Sequence, residues 1–294
     1  MRIVIAYGGL GNVMFQYALV CAFRARGVKS FLFVAEPNVE HHGYELEKVF
    51  PKTDHYRSLN TFQKVYYSIM EKMRKIGRKR RHFPHRLIFF PFPGYHYSYD
   101  ATGFHSQVFD GLEKSCYLVG HFQSYKFFQP CREQILSEYQ FDIEKLSEKT
   151  CEMAGEIKAV NSVSIHVRRG DYMNEFYYNM LGAVCNLDYY RRAIERISQL
   201  VDNPHFYIFS DDKEYVAENL KMENATFVDF NSGSDSWQDM YLMSLCKHNI
   251  IANSSFSWWA AWLNNNPSKI VIAPSRWFVH VGQDELVPEE WIRL

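Results

Sequence analysis

The sequence predicts an α/β protein made of two Rossmann-like halves that face each other across a cleft. Three observations predict it. A β-α-β unit starts at residue 2: "RIVIAY" (2–7) reads as a buried strand, 12–26 as a helix ending at Gly27, and "SFLFVA" (30–35) as a second strand. Strand–helix alternation resumes with a strand at 162–168 and runs on: helix 186–202, strand 205–210, helix 212–221, strand 225–230, helix 235–246, strand 248–252, helix 254–264, strand 269–273. Between these blocks a polar helix over 144–160 marks the junction, so the halves are taken as 1–155 and 156–294. Open parallel sheets gather ligands at the carboxyl ends of their strands.

The middle of the first half is less regular. Residues 61–83 read as a helix that turns basic toward its end, 89–99 as an irregular aromatic segment, and 115–128 as a strand followed by a turn or helix. No internal repeat or low-complexity stretch interrupts the chain.

Composition excludes several classes. With 294 residues, 33 basic and 33 acidic, the chain lacks the basic excess of a general nucleic-acid binder. An apolar fraction of 47% argues against disorder, and no apolar run reaches the roughly 18 residues that a membrane span needs. The apolar run at the amino end is too short for a signal peptide. Six scattered cysteines (21, 116, 131, 151, 185, 246) show no metal-ligand spacing, which fits a reduced, cytoplasmic setting. Aromatic residues make up 17%, enough for a Tyr- and Phe-rich core or a surface that stacks on sugars.

Four stretches could carry chemistry. In "YGGLGN" (7–12), Gly9 and Gly11 let the backbone approach a ligand at a helix start, and Asn12 is either part of that loop or an ordinary N-cap. In "HVRRGD" (166–171), His166 and Arg168 share one strand face and Arg169 the other, so Arg168 reaches the cleft while Arg169 turns away to pair with Asp171. Asp171 can neutralise one arginine only, and the pair needs a further anion. In "IFSDD" (208–212), Asp211 or Asp212 reaches the ligand or caps the next helix. In "ANSSFSWW" (252–259), Asn253, Ser254 and Ser255 open a helix and offer a phosphate cradle or a plain cap, while Trp258 and Trp259 read as core. Together these sites fit the diphosphate of a nucleotide sugar. No Asp-x-Asp occurs, so arginine and helix starts, not a metal, would neutralise that charge.

The lines "GGLGNVMFQYA", "SIHVRRGDY", "FSDD", "DMYLMSLCKHNIIANSSFSWWAAWL" and the final "PEEWIRL" resemble the α-1,2-fucosyltransferases of glycosyltransferase family eleven. They occur in the family's order, with no landmark between about 35 and 155. The resemblance implies a GT-B fold and an inverting, metal-independent transfer of L-fucose from GDP-fucose to the 2-hydroxyl of a terminal β-galactoside, with no cofactor. The His-x-Arg-Arg-x-Asp element is similar to that of α-1,6- and protein O-fucosyltransferases. That similarity implies that Arg168 clamps the β-phosphate, His166 lies near the nucleoside, Asp239 recognises guanine and Ser254 and Ser255 form the cradle. It also implies that Asn12 lines the acceptor cleft. Val13 departs from the family's usual glutamine.

The attacking hydroxyl needs a proton acceptor, and Glu175 is the candidate, since Asp171 is committed to an arginine. The segment 72–86 carries Lys72, Arg74, Lys75, Arg78, Lys79, Arg80, Arg81 and Arg86 against no acid, which reads as a solvated face or as peripheral contact with an anionic membrane. Competing readings are a transferase of another sugar nucleotide or linkage, and a non-catalytic glycan-binding lectin. A dinucleotide-dependent oxidoreductase is disfavoured because neither glycine loop has the required spacing.

Overall fold

A computed structural model describes residues 1–34, 45–53, 103–113, 115–279 and 285–294, the strand 94–97, and helical positions 61, 64, 65, 68, 69 and 72. The basic segment 72–86 lies outside the described residues apart from Lys72, and so does most of the expected helix at 61–83.

The first half is built on strands β1 (Arg2–Ala6), β2 (Ser30–Val34), β3 (Gly94–Tyr97) and β4 (Cys116–Val119), all parallel, in the order β2-β1-β4-β3. The second is a six-stranded parallel sheet of β5 (Asn161–Val167), β6 (Pro204–Ser210), β7 (Ala225–Val228), β8 (His248–Ile250), β9 (Val271–Ala273) and β10 (Ile292–Arg293), in the order β10-β9-β8-β5-β6-β7. Helices α1 (Leu10–Arg24), α2 (Leu46–Val49), α3 (Arg132–Glu138), α4 (Glu148–Ala159), α5 (Leu187–Ser198), α6 (Lys213–Asn219), α7 (Trp237–Leu245) and α8 (Ser255–Leu263) connect them. This is the two-sheet α/β architecture expected of a GT-B protein.

Each sheet has one point where the strand order reverses, between β1 and β4 in the first and between β5 and β8 in the second. Connections leave such a point in opposite directions, and the crevice between them is where open sheets take ligands.

Side-chain caps explain where helices begin. Ser147, Asn186 and Asp212 each accept a bond from the amide three residues on, and Ser254 from that of Phe256. Strand and helix periods were read correctly through the second half, with ends shifting by up to four residues. Three details differ from expectation. Helix α1 starts at Leu10 with Gly9 as its cap, so Asn12 lies inside the first turn. The stretch 89–99 contains the edge strand β3, whose backbone pairs with β4. The short turns across Asp171–Gly182 and the final strand β10 had no periodic pattern long enough to announce them.

The two halves share a continuous apolar core that runs from β1 and α1 through α7 and α8 to Trp291. Phe15, Phe128, Trp258, Trp259 and Tyr139 fill its centre, with Phe128 stacked on Trp259 at 5.4 Å between ring centroids. Much of the aromatic content is therefore core. At its end, α1 meets α8 start to start. A Cβ on Gly11 would sit 2.7 Å from the Ser255 carbonyl carbon and 2.8 Å from the Phe256 nitrogen. Trp259 Nε1 donates to the Gly11 carbonyl at 2.9 Å. Gly11 is thus needed for close approach, but what approaches it is the other half of the protein. Gly11→Ala should lower stability by about 1–3 kcal/mol through overpacking, read as a fall in melting temperature, whereas Gly155→Ala, with open space around it, should not.

Candidate functional site

Because α1 leaves the carboxyl end of β1 and α8 that of β8, their touching starts bring both reversal points to one junction. On the second-half side, β5 delivers His166, Arg168 and Arg169. Arg168 pairs with Asp171 at 2.7 Å and with Asp211 at 2.8 Å. Arg169 pairs with Asp212 at 2.8 Å, lies over the Tyr215 ring at 3.5 Å, and donates its backbone N–H to Asp211 at 2.8 Å. The expected Arg169–Asp171 pair does not form. Asp171 is three residues beyond Arg168 and folds back on it through a single 3-10 turn, while β6 runs beside β5 and supplies Asp211 and Asp212. The two guanidinium charges are therefore met inside the protein by three carboxylates, one more than neutrality needs.

Asp212 has two tasks, since it also caps α6. The hydrogen bond from Arg169 holds its carboxyl below the usual carboxylate range. Asp211 reaches Arg168 only because residue 170 is glycine: a Cβ there would lie 2.7 Å from Asp211 Oδ2.

His166 is buried, and burial pushes its imidazole down to about 4, opposed by Asp211 and aided by Arg168. It is neutral at physiological pH. Its carbonyl accepts from Tyr190 and its ring faces Phe256 at 5.9 Å, while Nδ1 is buried with no hydrogen-bond partner among the described residues.

At α8, the Ser254 hydroxyl accepts the Phe256 N–H and Ser255 packs on Gly11. Asn253 spends its amide on the carbonyls of Leu181 and Trp277, both at 3.0 Å, and its own carbonyl accepts from Tyr172. It therefore pins the 171–182 turns and the 274–279 loop in place. Asp239 lies in the first turn of α7, half-buried and bonded by Asn231 at 2.8 Å; burial pushes its carboxyl up to about 7. Glu175 is exposed at the start of one helical turn and takes no part in the arginine–aspartate cluster.

The first half contributes Tyr7 and Gly8 after β1 and Gly120–Gln123 after β4. Asn12 accepts from Gln123 at 2.7 Å. Sequence reasoning missed Tyr7, Gln16, His121, Tyr172 and Tyr215. The signal available for His121 was a strand, "CYLVG", ending at a histidine; its neighbourhood becomes meaningful only once β4 is known to pair with β1. The cavity of about 290 Å³ lined by Asn186, Arg192, Ser275 and Arg276 lies beside the start of α5, away from this junction.

Two parallel α/β halves with a buttressed arginine pair at their junction suit a protein that binds an anionic ligand. The chain belongs to glycosyl transferase family 11, whose family model matches residues 56–293. That match leaves out the glycine loop and begins inside the stretch where the sequence shows no landmark. The chain is similar to the α-1,2-colitosyltransferase of Escherichia coli, at 32% identity over the whole chain and 99% of that relative. It is also similar to galactoside α-(1,2)-fucosyltransferase 1 of Plecturocebus brunneus, at 30% identity over 48% of the chain and 40% of the relative. Among solved structures, NodZ α-1,6-fucosyltransferase soaked with GDP-fucose has 13% identity and a TM-score of 0.45, over 89% of this chain and 92% of that one.

Asp239 gives a testable sign. Its folded carboxyl titrates above the ordinary 3.8, so its contribution to stability is complete below about 3.8 and is lost as pH rises through about 7. Asp239→Asn, which removes the buried charge, should be more stable than the wild type at pH 8.5 by about 4 kcal/mol at most and should lose that advantage by pH 4. Melting curves at the two pH values check it.

Proposed function

We propose that the chain transfers L-fucose from GDP-fucose to the 2-hydroxyl of a terminal β-galactoside, with inversion and without a metal ion. The observation that carries this reading is Arg168, set at the reversal point of the second sheet beside the serine-opened α8, in a family whose members include α-1,2-transferases. Breaking the fucose–phosphate bond places negative charge on the leaving GDP. A guanidinium already aimed by Asp171 and Asp211 stabilises that charge without reorganising first. The arriving diphosphate displaces a carboxylate from Arg168 as the donor binds, before the sugar–phosphate bond breaks, and the donor's other contacts offset that exchange. Asp239, when ionised, has the acceptors that the N1–H and amino group of guanine require.

The full-length resemblance to the colitosyltransferase favours a second reading, in which the same chemistry moves a 3,6-dideoxy sugar. Incubation with GDP-fucose or GDP-colitose, and with lactose, lacto-N-biose or N-acetyllactosamine, in the presence of chelator separates the two. Product linkage assigned by NMR completes the test. Transfer only after metal is restored, or from neither donor, defeats the proposal.

Arg168→Ala should lower transfer by about 10²–10³-fold in a folded protein whose melting temperature falls somewhat, because Asp171 and Asp211 lose their partner; a variant that retains a tenth of wild-type turnover removes the role. The proposal extends to the setting of the enzyme: a cytoplasmic protein whose residues 72–86 contact an anionic membrane. Flotation with anionic liposomes should fall when the basic residues of that segment become glutamine, and unchanged flotation counts against it.

A further inference from the structure

The reaction proposed above needs a proton acceptor on the acceptor side, and Glu175 is exposed to solvent with nothing among the described residues to orient it. The first half offers a better-placed group. His121 follows β4 and Tyr7 follows β1, so the two flank the reversal point of the first sheet, as Arg168 and Ser254 flank that of the second. Their rings lie 4.8 Å apart.

The loop that carries His121 is fixed from both sides. The buried amide of Gln16 donates to the carbonyls of Tyr7 at 3.3 Å and Gly120 at 3.2 Å, and its oxygen accepts the Tyr7 N–H. On the other side Gln123 is tied to Asn12, the neighbour of Gly11. Between them Phe122 is buried with φ +51°, a left-handed conformation that costs a non-glycine residue about 1–3 kcal/mol and gathers at functional sites. The surroundings therefore over-determine a strained turn, and its effect is to present the residue before it.

The His121 ring is half-buried, and its Nδ1 is enclosed with no hydrogen-bond partner among the described residues. A satisfied core histidine would have one, because an unpaired buried polar atom costs about 1–3 kcal/mol. Burial also pushes the imidazole down to about 4, so the resting ring is neutral at physiological pH.

We propose that the His121 imidazole accepts the proton of the attacking acceptor hydroxyl. This rests on the reading of the chain as a fucosyl- or colitosyltransferase. The sugar C1–O bond to the diphosphate breaks and its electron pair stays with the phosphate oxygen. The acceptor oxygen bonds to C1, and its proton passes to Nε2, the ring nitrogen that is not enclosed. The imidazolium then returns the proton to water once the products leave.

The test compares wild type, His121→Phe and His121→Ala in three measurements: initial rates with GDP-fucose or GDP-colitose, GDP affinity by calorimetry, and melting. His121→Phe should lower kcat by about 10²-fold or more while GDP affinity and melting temperature hold, since an apolar ring removes the unpaired nitrogen. Added imidazole should restore at least about tenfold to His121→Ala, which a merely structural role would not allow. Phe-variant turnover within about fivefold of wild type, a loss explained by weaker GDP binding, or absence of imidazole rescue overturns the assignment. A wild-type enzyme inactive with both donors overturns the functional reading and this assignment together; an active wild type with an active Phe variant overturns this one alone.

Discussion

The contact of Gly11 with the Ser255–Phe256 backbone is the constraint on which the arrangement depends. Two helices meet start to start, and each starts at the carboxyl end of a central strand. Because a side chain at position 11 would collide with main chain, the distance between the halves at this point is set by backbone rather than by adaptable side chains. The indole of Trp259, which hydrogen-bonds to the Gly11 carbonyl, fixes direction as well as distance. The aromatic core behind this contact, from Phe15 to Trp258, resists sliding because its rings interlock at centroid distances near 5 Å. Everything at the junction inherits its position from these few atoms.

Much of this was legible in the sequence. The period-two runs of β5 and β6, the helix that starts after Asn253, and the glycine-opened first helix are local patterns, and local patterns survive tertiary context. The roles of particular side chains were less legible. Asp171 lies two residues from Arg169 in sequence, yet it pairs with Arg168, because pairing follows the fold of the turn and the neighbouring strand rather than spacing along the chain. Gly11 looked like a ligand loop because its partner, Ser255, is far away in sequence. His121 went unremarked for the same reason: its surroundings are assembled from Tyr7, Gln16 and the β1–β4 pairing.

Asn253 illustrates how a polar residue beside a site can serve architecture. Its amide ties Leu181 to Trp277, and its carbonyl takes the Tyr172 hydroxyl, so one side chain and one peptide organise the 171–182 turns, the 274–279 loop and the end of β8. The serines that follow are then free of that duty. Division of labour of this kind separates positioning from contact within three consecutive residues.

The aspartates around Arg168 and Arg169 have a consequence for which anions the guanidinium can hold. A bare arginine pair would attract any polyanion in solution. Here Asp171 and Asp211 already occupy Arg168, and the glycine at 170 lets Asp211 come close enough to be a strong occupant. A stray inorganic ion offering one weak contact gains too little to evict a tethered carboxylate, whereas a ligand with several simultaneous contacts can. The two tethered carboxylates thus set a threshold that depends on the number of contacts a ligand makes and not on its charge alone.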